Sequence, residues 1–396
     1  MSQQRRRIFL VCAALGGAAA LVIVMLLSLR AAHALVTTPS VENVVGDVLA
    51  ARNKTILAEG DVPYGDDNVL NILVLGIDSR KEGNERHCDA IHMLSLNVET
   101  WDMTITSVPR GTYAPLPPGK TYAPNEYYLA NACGYGGFDY GITQIERILG
   151  MKYDYLVTIG FSQALGVFRV LRLPTTDTLQ WLRHRQSYAI GDPQRSHNQA
   201  IFIEDLLRHF GASGDTLSPT LLYVLYNFVD TDMDFGTVHA LYNGYVASGK
   251  AREATSIVQS MLPFYATVDY HLDLENPDAQ IAALLDRVRP YLSKDDLSDR
   301  PVSDVQAELI AYLTDALQQP EEAQHVVDEE MWLQVEDDAT REALHFAFLE
   351  WYATALAQSD AIAAQGIVAD YILEEQSIGS AEYEARGRQL LVNIVQ

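Results

Sequence analysis

Basic residues are scarce in this chain. Its 396 residues include 28 Lys and Arg against 52 Asp and Glu, a formal charge of −24. Such a chain lacks the basic face that general nucleic-acid binding needs. Cysteine is scarcer still, with three in all, and Cys12 falls inside an N-terminal apolar segment. Only Cys88 and Cys133 remain, and two cysteines do not make a structural zinc site without other ligands. No HExxH, GxSxG or GxxxxGK[ST] occurs. The usual signals of zinc proteases, of serine hydrolases with a nucleophile elbow and of P-loop enzymes are therefore missing. Long polar tracts are missing too. With 48% hydrophobic and 20% charged residues, nothing indicates extended disorder.

Long apolar runs are missing with one exception. Ile8 to Leu29 is 22 residues without a charge, preceded by Arg5-Arg6-Arg7 and followed by Arg30. A bilayer needs about 20 such residues, and the leading arginines favour a cytoplasmic N-terminus. The expectation is a single-pass anchor in the cell membrane with the bulk of the chain extracellular. The other reading is a cleaved signal peptide ending at Ala32-His33-Ala34, but the run exceeds the roughly 7–15 apolar residues of such signals. Without Arg5, Arg6, Arg7 and Arg30 the remainder has 24 basic and 52 acidic residues, a charge of −28. Arginine clusters stand out against that background. Outside the membrane a Cys88–Cys133 disulfide is permitted. A bridge and two separate thiols are both open.

One stretch organises what is present. From Asn71 to Arg110 three strand-like runs, near 70–77, 91–98 and 103–108, end at or near Asp78, Asp89 and Arg110. Ligands of open α/β sheets bind at strand ends, and a carboxylate pair beside guanidinium groups suits a divalent metal with a phosphate. Taken singly, each aspartate is also an ordinary turn residue, and Arg80, Arg86 and Arg110 could equally form structural ion pairs with them. A second cluster puts Arg183, His184, Arg185, Asp192, Arg195, His197 and Gln199 within 17 residues. Arg195 and Gln199 are four apart and share a helix face if a helix starts near Arg195. A pocket for an acidic group is one reading and a solvated basic turn the other. His87, His92, His184 and His197 have no zinc-site spacing and read as surface or loop residues.

Along the chain, residues 1–30 read as tip and anchor, and 31–68 as a stalk with a short helix near 41–51. Residues 69–292 alternate strands and helices, an α/β unit with a mixed central sheet layered with helices. Within it, strand signals fade after about Ala212, and 219–227, 235–248, 253–262 and 277–292 read as helical. Residues 293–396 read as an all-helical region of no evident role, without a convincing repeat period.

Several of these motifs occur together in one known family. The chain resembles the LytR-CpsA-Psr family of cell-envelope phosphotransferases in Asn71-Ile-Leu-Val-Leu-Gly-Ile-Asp78-Ser79-Arg80, Arg86 through Asp89, and Ser107-Val-Pro109-Arg110-Gly-Thr112-Tyr113. The resemblance continues in Asn131-Ala with Tyr135-Gly136-Gly137, Arg183-His-Arg185, and Asp192 with Arg195-x-x-x-Gln199. It implies a transferase that takes a glycopolymer from a polyprenyl-pyrophosphate carrier, its tail in an apolar tunnel, and joins it to peptidoglycan or another wall acceptor through a phosphodiester. On matching positions Asp78 and Asp89 would hold Mg²⁺. Arg86, Arg110, Arg183, Arg185, Arg195 and Gln199 would form the pyrophosphate site, with Asp89 and Arg110 nearest the chemistry. The chain departs from the pattern in four places. Arg86-His87-Cys88-Asp89 is one residue longer than the family's Arg-x-Asp. Gly111 replaces an aspartate, Asn198 replaces an arginine, and 161–183 is short. A polyprenyl-pyrophosphate hydrolase using the same site, and a catalytically weak envelope scaffold or lipid-binding protein, are the alternatives.

Overall fold

A computed structural model describes residues 41–58, 60, 68–79, 86–119, 121–184, 190–212, 217–288 and 301–395. The expected anchor, Arg80, Arg185 and the side chain of Asp78 lie outside them. Among the described residues no helix is long and apolar enough to cross a membrane.

Six strands build one mixed sheet: β1 (Val69–Ser79), β2 (Arg86–Asn97), β3 (Met103–Ser107), β4 (Tyr155–Gly160), β5 (Asp230–Thr231) and β6 (Ile257–Met261). Their order is β5-β4-β1-β2-β3-β6. β1 pairs antiparallel with β2 and parallel with β4, and β3 pairs antiparallel with β2 and parallel with β6. The C-terminal ends of β1, β3, β4 and β6 therefore open on the same edge as the N-terminal end of β2.

The apolar run of β1 reflects burial on both faces, as expected of a central strand. Leu73, Leu75 and Ile77 pack with Leu129, Cys133, Ile142 and Ile145, from helices α2 (Leu129–Gly136) and α3 (Phe138–Leu149). Leu70, Ile72 and Val74 join the core on the other face, with Ala200, Ile203 and Leu207. These come from the long helix α6 (Asp192–Ala212). Between them in sequence lie α4 (Phe161–Val170), which follows β4 directly, and α5 (Thr175–Arg183).

Residues 253–262 correct the sequence reading. Their helical expectation gives way to β6, which lies beside β3. Ile257 and Met261 are buried, whereas Val258 is exposed. Two buried residues four apart satisfy helical spacing and strand alternation equally well. The parallel pairing with Met103–Ser107 decides the outcome.

α1 (Val41–Ile56), α7 (Pro219–Asn227), α8 (Phe235–Ser248) and α9 (Pro277–Val288) complete the middle of the molecule. The C-terminal region is helical, as its sequence suggests: α10 (Val302–Ala316), α11 (Pro320–Asp328), α12 (Asp338–Ala357), α13 (Ala361–Ile378) and α14 (Ala381–Val395). These helices share a core with the rest of the chain. Ile56, Leu222, Val224, Phe228 and Phe235 are buried in one cluster with Leu313, Trp332, Phe348 and Leu373.

Candidate functional site at the sheet edge

The site is built where β2 begins. Gly76 pairs with Ala90 but Ile77 pairs with Cys88, so Asp89 is an extra residue in the ladder. Such a bulge bends the strand and re-aims a side chain. It explains why Cys88 and Ile91, an odd number apart, both pack on the α2–α3 side. It also accommodates the additional residue of Arg86-His87-Cys88-Asp89 within the strand. The backbone of Asp78 pairs with His87, two positions from Asp89. The aspartates at the two strand ends are therefore neighbours in backbone register.

Cys88 and Cys133 form a disulfide between β2 and α2. Both lie in regular elements, Cys88 on β2 and Cys133 on α2. α2 is also tied to the turn after β3, through Ala130 N–H donating to the Arg110 carbonyl (3.1 Å) and Leu129 N–H donating to that of Thr112 (2.9 Å). Asp89 and Arg110 are thus anchored to one helix from two sides.

Their side chains meet. Arg110 Nη1 donates to Asp89 Oδ1, and Arg110 Nε lies 4.0 Å from Asp192 Oδ2. Arg195 Nη2 bonds the other oxygen of Asp192 (3.1 Å) and the Asp89 carbonyl (3.2 Å). Two guanidinium groups and two carboxylates therefore converge at the sheet edge. The Arg110 and Asp89 side chains are each only 16% exposed. Burial works against the Arg110 charge, but Asp89 and Asp192 outweigh it and raise its pKa.

Asp192 had no role assigned from sequence. Its signals are its place in the first turn of α6, where a carboxylate complements the helix dipole, and its three-residue spacing from Arg195. Gly111 lies against it: a Cβ there would come 3.1 Å from Asp192 Oδ2, closer than ordinary van der Waals contact.

The other expected residues diverge. Arg86 is 53% exposed and pairs with Glu329, beyond α11, at 3.3 Å. Arg183 is exposed, with its guanidinium stacked 4.3 Å over the Phe161 ring at the end of β4. Gln199 Nε2 donates to the Leu182 carbonyl (3.0 Å), steadying the end of α5. The structure groups Asp89, Arg110 and Arg195, and leaves Arg86 and Arg183 engaged elsewhere.

The histidines need correction. His92, His184 and His197 are buried, not on the surface. His92 lies on β2 opposite Ser107, with Nδ1 3.0 Å from Ser107 Oγ. Desolvation lowers its pKa to about 4, against a smaller upward effect of Gln199. His197 is turned to Asp269 (2.7 Å), and Gln194 makes two bonds to the Val268 backbone. These contacts fix the segment after β6 against α6. Buried positions facing a helix and a neighbouring strand have no signal in local sequence.

Chemically, the cluster can take an anion. Arginines bind phosphate bidentately, and both are already oriented by carboxylates. The donor set also fits Mg²⁺, which takes one or two carboxylates and completes its shell with phosphate oxygens and water; Asp89 and Asp192 are the described candidates.

Comparison with known proteins follows the same stretch. Residues 43–165 match the LytR_cpsA_psr family. A polyisoprenyl-teichoic acid–peptidoglycan teichoic acid transferase TagU of Oceanobacillus iheyensis is 26% identical over 210 residues, 47% of this chain and 65% of that protein. The match spans just under two thirds of that relative. A TagU of Halalkalibacterium halodurans is 24% identical over 213 residues, 48% of this chain and 69% of its own. The solved structure of TagV from B. subtilis is 16% identical with a TM-score of 0.42, covering 57% of this chain and 99% of that one. That score is too low to bear on the site. The likeness to the LytR_cpsA_psr family is thus carried by residues 43–165, the stretch that holds β1, β2, β3 and β4.

Proposed function

We propose that this protein is a membrane-anchored glycopolymer transferase. It moves a glycan phosphate from a polyprenyl-pyrophosphate carrier to a hydroxyl of a wall acceptor such as peptidoglycan. The observation that carries this reading is Arg110 held between Asp89 and Asp192, with Arg195 on the far side of Asp192. The family match over residues 43–165 and the relatives' names support it, and the apolar run at 8–29 supports the anchor.

Phosphoryl transfer is chiefly positioning and charge stabilisation. Arg110 and Arg195 would hold the pyrophosphate and meet the charge that develops as the acceptor oxygen bonds to the glycan-bearing phosphorus and polyprenyl phosphate leaves. Arg110 engages Asp89 through Oδ1, which leaves Oδ2 to take the acceptor's proton. Mg²⁺ held by Asp89 with Asp78 or Asp192 would neutralise phosphate charge. Arg86, three residues before Asp89 on β2, would exchange Glu329 for phosphate. An exposed pair of this kind is worth only about 0–1 kcal/mol, so it is easily displaced.

The test is the full chain in lipid, given a polyprenyl-pyrophosphate-linked glycan, Mg²⁺ and peptidoglycan. Glycan joined to peptidoglycan, lost in Asp89→Asn, is expected. Release of polyprenyl phosphate that needs no acceptor would indicate the hydrolase instead. The commitments of Arg86 to Glu329 and Arg183 to Phe161 favour a second reading, an envelope lipid-binding protein of weak activity. Lipid binding without turnover would select it.

A further inference from the structure

The C-terminal helices carry a ligand set that the transfer site does not use. Glu342-Ala-Leu-His345 on α12 puts a carboxylate and an imidazole three residues apart, on one helix face. Glu375 on α13 faces them, and one ligand atom from each of the three lies within 4.8 Å of the others. Glu375 is 0% exposed, and neither of its carboxylate oxygens makes a well-formed hydrogen bond among the described residues, although the Ser380, Tyr371 and Glu342 side chains lie beside it. Buried carboxylates are ordinarily paired, hydrogen-bonded or bound to a metal. This one is aimed at another carboxylate and at an imidazole.

The surroundings hold the set in place. The His345 ring is stacked on Trp332, with centroids 4.7 Å apart, and meets Tyr371 edge-on at 4.8 Å. Arg341 is the nearest cation on α12, and it is largely committed. It bonds Asp338 at 2.7 Å and the Val335 carbonyl at 3.3 Å, and lies 3.3 Å from Oε1 of Glu342. Glu342 and His345 also line a cleft of about 680 Å³ between α4 and the C-terminal helices, with Glu374, Arg169 and Arg341.

The donor chemistry narrows the ligand. Mg²⁺ and Ca²⁺ favour all-oxygen shells, whereas imidazole suits zinc, iron, nickel and copper, and no thiolate is present to select a softer ion. A Glu-x-x-His pair from one helix, completed by a glutamate of another, is how helical bundles assemble carboxylate-rich metal centres. We propose that Glu342, His345 and Glu375 bind one divalent transition-metal ion, with Zn²⁺ as its test species. The ion joins α12 to α13 and keeps a coordination position open towards the cleft, since three protein ligands do not close a shell.

The test uses the full chain stripped with chelator and titrated calorimetrically with Zn²⁺ in excess Mg²⁺. One equivalent of Zn²⁺ is expected to bind, at least tenfold more weakly in His345→Gln and Glu375→Gln and unchanged in Asp89→Asn. That last control separates this site from the sheet-edge site, so either can fail alone. Co²⁺ absorption in the visible gives a second readout of coordination by the imidazole. Glu375→Gln removes a carboxyl ligand at nearly constant shape, so it keeps the test open if His345→Gln does not fold. No Zn²⁺ uptake by the stripped wild type, or uptake by Glu375→Gln at wild-type affinity, overturns the proposal.

Discussion

Arg110 reaches two carboxylates from the end of β3, and its planar fork is what allows one side chain to address both Asp89 and Asp192. Arg110→Lys keeps the charge and loses the fork. It is expected to lower the transfer rate by about 10²–10³-fold, the cost of removing one donor from a preorganised charge site. A rate within a few-fold of wild type would contradict the role given to Arg110. His92 supplies a prediction in pH. It is held neutral in the fold, with its pKa depressed from 6.5 to about 4 by burial. The unfolded chain therefore binds a proton between those values that the folded chain does not. This contribution to stability is intact above pH 6.5 and is lost as pH falls towards 4, by on the order of 2 kcal/mol at pH 5. Urea unfolding at pH 7.5 and pH 5 should show a smaller pH penalty in His92→Gln than in wild type. Parallel pH profiles for the two proteins would exclude it.

At the scale of elements, the disulfide, the bulge and α2 act as one clasp. Cys88 precedes Asp89, and Cys133 lies on the helix that also bonds the Arg110 carbonyl. The bridge spans a sequence separation of 45, for which chain entropy gives about 4 kcal/mol as an upper figure and about 2–4 kcal/mol as the usual range. The double variant Cys88→Ser with Cys133→Ser should lose stability in that range on chemical denaturation, and lose transfer activity as well. An active variant of unchanged stability would show that the clasp is not needed. The strand ends were legible in sequence because apolar runs stop abruptly at Asp78 and at Pro109-Arg110. The bulge was visible only as an extra residue between Arg86 and Asp89. β6 was misread because Ile257 and Met261 fit two periodicities, and its partner β3 lies about 150 residues earlier in the chain.

For the whole molecule, the C-terminal region contacts β2 and α4 as well as sharing the core. Glu329 holds Arg86, Gln334 donates to Ser162 Oγ (2.9 Å), and Arg169 donates to the Val335 carbonyl (3.2 Å). Deleting 302–395 would uncover Ile56, Leu222, Phe228 and Phe235. Each fully buried side chain of this size contributes about 1.5–3 kcal/mol. The truncated protein is therefore expected to be insoluble or to unfold without cooperativity, and a cooperative thermal transition in it would refute the shared core. Glu329→Gln is a milder probe. Its stability should stay within about 0.5 kcal/mol of wild type, since the pair is exposed, while KM for the carrier falls because Arg86 is freed for phosphate. An unchanged KM would place Arg86 outside the site.

The sequence by itself determined the charge class, the strand ends, the helical nature of the last hundred residues and the family resemblance. These follow from local periodicity, composition and motif order. The tertiary structure alone decided which arginines share a carboxylate. Arg110 and Arg195 meet through Asp192, while Arg86 and Arg183 turn to Glu329 and Phe161. It also placed Glu375 against Glu342 and His345 across two helices. Side-chain pairing between elements distant in sequence depends on register and on packing direction, and neither is encoded within a single element.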